Sequence, residues 1–296
     1  MPVDAGEATK DVRALPKLLD KLLPLLAAAG GPVAIVAAGG GSIGDLAGFV
    51  AAIVHRGVPL TLVPTTWLAA VDSAHGGKNA LNVGGTKNIV GTFHLPECIF
   101  LSRRALFGQT PALAREALGE AIKAALLDGG PWTKEFRRAL DTMPIEDALW
   151  KFLPSIVGAK YRVVRRDPKE QSGARRVLNF GHTVGHVLEA AHKLPHGIAV
   201  AEGMRFAIAF GEHLGVTAPA TAEALRASWI SPWFSNTKKR RPIARARFHA
   251  LLAQDKKKLG GARVAFVFLE RSGRPRIRPI DVQSVVAEAR RQGLCR

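Results

Sequence analysis

The sequence has 296 residues, enough for one large domain or two of ordinary size, and 47% of it is hydrophobic, which excludes wholesale disorder. Its formal charge of +18 suits an anionic ligand, a nucleic-acid partner or an Arg-rich solvated surface. No apolar run approaches the ~18 residues of a membrane span, MPVDAGEATKD lacks a signal-peptide pattern, and Cys98 and Cys295 are too few for a disulfide framework, so a cytoplasmic location is expected.

In chain order, Val12 to Ala29 places apolar residues at helical spacing and stops at Gly30-Gly31. PVAIV (Pro32 to Val36) reads as a short buried strand, which GGGS turns into a helix over Gly44 to His55. PLTLV (Pro59 to Val63) reads as a second strand, and ECIFL (Glu97 to Leu101) as a third. Strand, glycine turn, helix, strand is the arrangement of a parallel sheet that binds a dinucleotide or phosphate. Beyond Gly108 the character changes to Ala/Leu-rich helical patterns over Pro111 to Asp128, Ile145 to Val164, Val177 to His192 and Ala199 to Leu214. A strand, RVAFVFL, and a helix over Ile280 to Arg291 follow. The predicted organisation is a Rossmann-like α/β domain over 1–108 and a mostly α-helical domain over 109–296.

Four stretches carry chemistry. AAGGGSIGD (Ala37 to Asp45) offers backbone N–H groups and a helix N-terminus to an anion, although a plain tight turn explains it about as well. VDSAHGGKNALNVGGTKN (Val71 to Asn88) sets two lysines among glycine pairs and reads as a loop that cradles phosphate or carboxylate. In ALGEAIKAALLD, Glu120 and Lys123 lie three apart on one face of an apolar helix, where a surface salt bridge is the ordinary explanation. LNFGHTVGHVLEAAHKLPHGIAVAEG (Leu178 to Gly203) stacks His182 and His186 on one helical face and places His196 just past Pro195, in a loop. Neutral imidazoles with one carboxylate make a catalytic metal site when a coordination position stays open. Glu120 is the candidate carboxylate, with Glu189 and Glu202 as alternatives, and His192 suits the dipole at a helix end. The basic run Asn236 to His249 holds a single aromatic, Phe248, which argues against a nucleic-acid interface.

Taken together, GGGSIGDLAGF, RGVPLTLVPTT, VDSAHGGKNALN, TKNIVGTFHLP, GEAIK, LNFGHTVGHVLE, HG and DKK resemble, in order and at near-matching spacing, the 3-dehydroquinate synthase family of sugar-phosphate cyclases. The resemblance covers almost the whole chain and implies a dehydroquinate synthase-like fold. It implies a divalent metal, zinc or cobalt, on Glu120, His182 and His196. It assigns Asp72, Lys78, Lys123, Lys160, Arg175 and His186 to catalysis. Lys87, Asn88, Asn179 and Lys256 would contact an acidic seven-carbon sugar phosphate, and Arg56 would reach the neighbouring site of a homodimer. Glu7, Lys10, Gly40, Gly41, Asp45, Thr65 and Thr66 would hold NAD. The implied reaction is cyclisation of a keto-acid sugar phosphate with elimination of phosphate.

Departures from the family pattern accompany the match. The resemblance is to an N-terminally shortened member, so NAD binding is expected to be weakened. Ser42 stands where an aliphatic residue is usual, Leu113 and Ile198 replace glutamates, and near DPKEQSG either Glu170 or Gln171 takes an acidic position. The alternatives are a paralogue that binds metal and an acidic sugar phosphate with different or no catalysis, and a relative of the iron-type alcohol and glycerol dehydrogenases.

Overall fold

The computed structural model describes residues 1–234, 240–256 and 262–296, with 254–256 described by their backbone. Two compact units divide the chain, Met1–Ala114 and Arg115–Arg296. Part of the basic run, 236–239, and the side chain of Lys256 lie outside the described residues.

The first unit opens with α1 (Leu15–Ala28) and strand β1 (Ile35–Gly39), which leads into α2 (Gly41–Ile53) and β2 (Leu60–Pro64). A short helix α3 (Trp67–Val71), the strands β3 (Lys78–Val83), β4 (Thr86–Phe93) and β5 (Cys98–Ile99), and α4 (Arg103–Phe107) complete it. The sheet is parallel with order β1-β2-β5, and Ile35 pairs with Leu60 and Thr61 with Cys98. β1 begins three residues later than the PVAIV pattern suggests, because pairing starts where the Ile35 N–H reaches the Pro59 carbonyl at 2.8 Å. Leu46, Phe49 and Val50 of α2 form the core with Leu60, Leu62 and Leu81, and α1 lays Leu15, Leu18, Leu19 and Leu22 against it.

The stretch expected as an open loop is instead an antiparallel hairpin, β3 with β4. Its two-residue turn, Gly84-Gly85, has φ of +56° and +77°, a left-handed pair that matches the twist of the flanking strands. Leu81 is fully buried while Lys78 and Lys87 stay exposed, so the hairpin is amphipathic rather than solvated throughout.

The second unit begins within α5 (Pro111–Asp128) and continues through α6 (Trp132–Thr142), α7 (Ile145–Val164), α8 (His182–His192) and α9 (His196–His213). Next come α10 (Pro219–Leu225), α11 (Ser231–Phe234) and α12 (Arg245–Lys256), then the hairpin β6 (Arg263–Arg271) and β7 (Arg274–Asp281) and a final α13 (Val282–Arg291). The expected continuous helix over Val177 to His192 is broken: a 3-10 turn over Ala174–Asn179 precedes Gly181, whose φ of +80° interrupts the backbone before α8. β7 has a weak sequence signal because Pro275 and Pro279 argue against a strand, yet a strand paired on one side only tolerates the missing N–H groups. Among the described residues, no helix is long and apolar enough to cross a membrane.

α5 is buried almost all round, with Ala117, Leu118, Ala121, Ile122, Ala125 and Leu126 each fully buried, which marks it as the central helix of this unit. Against α9, the rings of Phe206 and Phe210 meet Phe266 at 6.2 and 5.5 Å, and Phe266 meets Phe268 at 4.8 Å. Phe266→Ala would leave a cavity in the middle of this cluster. It is expected to lower the unfolding free energy by about 3–5 kcal/mol, read from denaturant midpoints at unchanged slope.

Candidate functional site

Three helices of the second unit meet backbone to backbone at glycines. A Cβ added at Gly119 of α5 would overlap the Gly197 carbonyl of α9, and one at Gly197 would overlap the Glu116 carbonyl. Between α8 and α9, a Cβ at Gly185 would lie 2.9 Å from the Ala199 carbonyl oxygen, and one at Gly203 would overlap the Gly181 carbonyl. These contacts bring Glu120 of α5, His182 of α8 and His196 of α9 together. His196 is therefore the first residue of a helix, not part of a loop as its position after Pro195 suggested.

Glu120 is only 2% exposed, and its Oε1 lies 3.3 Å from His182 Nε2 and 3.2 Å from His196 Nε2. Lys123 Nζ pairs with Oε2 at 2.5 Å, off hydrogen-bonding geometry. On the far side of each ring, His182 Nδ1 lies 3.3 Å from the Phe180 carbonyl and His196 Nδ1 lies 3.0 Å from Glu189 Oε2. A carbonyl and a carboxylate only accept, so a ring that gave its Nε2 lone pair to a cation would find an acceptor for its Nδ1–H already in place. Two imidazole nitrogens and a carboxylate oxygen within 4.8 Å of one another form a group that could hold a metal ion. One carboxylate with two imidazoles fits zinc or cobalt. His186, Glu189 and His196 form a second such group sharing His196.

The electrostatics follow from burial and neighbours. Burial opposes ionisation of Glu120, but the Lys123 charge and His182 hold its carboxyl well below the usual range. Burial and then the Lys123 charge push His182 down to about 4. Burial also works against a charged His196, but hydrogen bonds to Glu120 and Glu189 override it and raise the ring to about 10. Glu116 is raised by burial, and its carboxyl accepts the N–H groups of His196 and Gly197, capping α9.

In the first unit, Lys10 is 4% exposed and its Nζ donates at 2.6 Å to both Asp45 Oδ2 and Asn88 Oδ1. The Asn88 N–H donates to Asn82 Oδ1, and Asn82 Nδ2 and Ser42 Oγ both donate to Glu7. Glu7, Lys10 and Asp45, expected at a cofactor, are thus joined to Asn88, expected at a substrate. The Gly40-Gly41 turn sits against Thr66, whose Cγ2 would be 3.1 Å from a Cβ at Gly40, and Thr65 N–H donates to the Gly39 carbonyl. At Gly44, on the first turn of α2, an added Cβ would meet no protein atom within 4 Å, so the space beside that helix end is open.

The remaining candidates have these positions. Asp72 ends α3, Arg56 is exposed with φ of +65°, and Lys78 and Lys87 stand on the hairpin. Lys160 is buried on α7, Asn179 ends the 3-10 turn, and Arg175 is buried with its guanidinium donating to the Pro168 carbonyl. Glu202 is turned to Arg205 on its own helix, 3.4 Å away. Sequence reading missed Glu116 and Asn82. Glu116 lies one turn before Glu120, a spacing that could have pointed to it.

A parallel-sheet unit with a glycine turn, followed by a helical unit with a carboxylate–imidazole cluster, defines a two-unit class of nucleotide- and metal-binding type. Models of the 3-dehydroquinate synthase N-terminal and C-terminal domains match residues 1–115 and 117–258. The 3-dehydroquinate synthase of Lactiplantibacillus plantarum is 36% identical over 95% of this chain and 77% of its own length. That of Rhodospirillum rubrum is 38% identical over 97% of this chain and 76% of its own. A crystal structure of 2-deoxy-scyllo-inosose synthase complexed with carbaglucose-6-phosphate, NAD+ and Co2+ superimposes with a TM-score of 0.85 at 26% identity, covering 99% of this chain and 83% of that one. The chain belongs to the 3-dehydroquinate synthase family.

The charge states make metal uptake proton-linked. Near neutrality the metal-free His196 is protonated, whereas Glu120 is ionised and His182 neutral. Zn2+ or Co2+ uptake is expected to release about one proton, and apparent affinity should rise about tenfold per pH unit below the His196 pKa. Calorimetry in two buffers of different ionisation heat measures this, and a binding heat independent of buffer would contradict it.

Proposed function

We propose that this chain is a metal-dependent carbon–oxygen lyase of the 3-dehydroquinate synthase type. It would cyclise a seven-carbon keto-acid sugar phosphate with loss of phosphate. The observation that carries the reading is the convergence of the buried Glu120 carboxylate with both Nε2 atoms beside Lys123. Membership of the family supports it, as does the neighbour crystallised with a sugar-phosphate analogue, NAD+ and Co2+.

Glu120, His182 and His196 would hold zinc or cobalt, and the α2 glycine turn with Glu7, Lys10, Asp45, Thr65 and Thr66 would hold NAD. When bound, NAD supplies reversible hydride acceptance, and the ion supplies polarisation of the oxygens it touches. This chain's own groups do the rest. Lys123, already balanced by Glu120, orients a substrate oxygen without bringing a second uncompensated charge into the interior. His186, beside Glu189 and His196, carries a proton to or from the reacting phosphate ester. Asp72, Lys78, Lys160 and Arg175 complete the catalytic set, and Lys87, Asn88, Asn179 and Lys256 bind carboxylate and phosphate. A cytoplasmic homodimer, with exposed Arg56 reaching across, belongs to the same proposal.

The test is an assay of metal-loaded protein with the seven-carbon keto-acid phosphate, with and without NAD. Inorganic phosphate and a cyclic ketone should appear together, only with NAD, and without net NADH. His186→Ala should slow turnover roughly 10²–10⁴-fold with metal content unchanged. NADH accumulating without phosphate would instead indicate a dehydrogenase of the iron type. A substrate-induced rise in melting temperature with no turnover would indicate a binding paralogue.

A further inference from the structure

The two histidines of the cluster are anchored by different means. His182 takes its orientation from a main-chain carbonyl, with Nδ1 3.3 Å from Phe180 O. His196 takes its orientation from a side chain, with Nδ1 3.0 Å from Glu189 Oε2. Glu189 lies one turn beyond His186 on α8, whereas His196 opens α9, so the contact spans two helices. Three acidic groups locate His196: Glu116 at its backbone N–H, Glu189 at Nδ1 and Glu120 facing Nε2. Glu189 and Glu120 face opposite ring nitrogens and both only accept, so with a cation on the Nε2 side Glu189 would be the acceptor that keeps the proton on Nδ1. By accepting from Nδ1 it leaves Nε2 as the donor atom beside Glu120.

We propose that Glu189 is a positioning residue that fixes the His196 tautomer and ring plane, so that Nε2 is presented to a divalent ion held with Glu120 and His182. The proposal rests on the metal reading above and goes beyond it by assigning a role to a carboxylate outside the three ligands. A ring whose far nitrogen is hydrogen-bonded to a carboxylate is a more basic, better-aimed ligand, and removal of such an outer partner typically lowers metal affinity 10–100-fold. The competing role, direct ligation of a second ion by His186, Glu189 and His196, predicts a different stoichiometry.

The experiment uses the full chain with Co2+ as the probe. Affinity is measured by chelator competition and geometry by the visible absorption of the bound ion, with long-range ¹H–¹⁵N spectra of the Zn2+-loaded protein reporting the ring tautomers. Wild type should bind one Co2+, with His196 protonated at Nδ1. Glu189→Ala should weaken Co2+ binding about 10–100-fold and alter its absorption. Glu189→Gln, which keeps an acceptor oxygen at the same reach, should fall between the two, and it carries the test if the alanine variant fails to fold. His182 ring signals should be unaffected in both. Wild-type affinity, spectrum and tautomer in both variants would overturn the positioning role while leaving the metal site standing. Two bound ions with Glu189-dependent stoichiometry would overturn it in favour of ligation. Absence of Co2+ binding in the wild type would remove the metal reading itself, and this inference with it.

Discussion

The cluster depends on the absence of side chains at a few positions. α5 and α9 touch at main-chain level, because neither Gly119 nor Gly197 could carry a Cβ without entering the other helix's backbone. Gly185 and Gly203 impose the same closeness on α8 and α9. The sequence thus places residues with no chemistry of their own one position from those that have it: Gly119 before Glu120, Gly197 after His196.

Such closeness creates an electrostatic problem that the same helices solve. A carboxylate as buried as Glu120 would ordinarily be driven toward its neutral form. Lys123, three residues along α5, supplies the compensating charge at 2.5 Å, and burial together with that charge keeps His182 neutral. His196, between Glu120 and Glu189, goes the other way and holds a proton. His182 and His196, each the first residue of its helix, therefore differ in state because of what each faces, not because of where they lie on a helix. The formal excess of positive charge over the chain has little to do with this local balance.

Much of this was legible in the residues. The Glu120/Lys123 spacing, the histidine pair on α8 and the glycine turn after β1 all carry local signals, since helical periodicity and turn chemistry act over three to five residues. α5 and α7 have the bounds that their apolar patterns indicate. What failed to show was anything set by tertiary contact. Val71 to Asn88 reads as a loop because it holds little apolar material, yet Gly84-Gly85 between alternating residues is a usable hairpin signal. Gly181 breaks a pattern that periodicity alone carries straight through, because periodicity says nothing about φ. The joining of Asn88 to Lys10 spans 78 positions and had no local trace.

The unequal anchoring of the two rings bears on how the cluster tolerates change over generations. The acceptor for His182 is a peptide carbonyl, which every residue at position 180 would supply, so no substitution there deletes it outright; only a shift of the main chain does. The acceptor for His196 is encoded by a single glutamate, and one base change in its codon is enough to remove it. Half of the pair is therefore insulated from point substitution, and the other half is a place where drift or selection can retune the cluster without touching Glu120, His182 or His196.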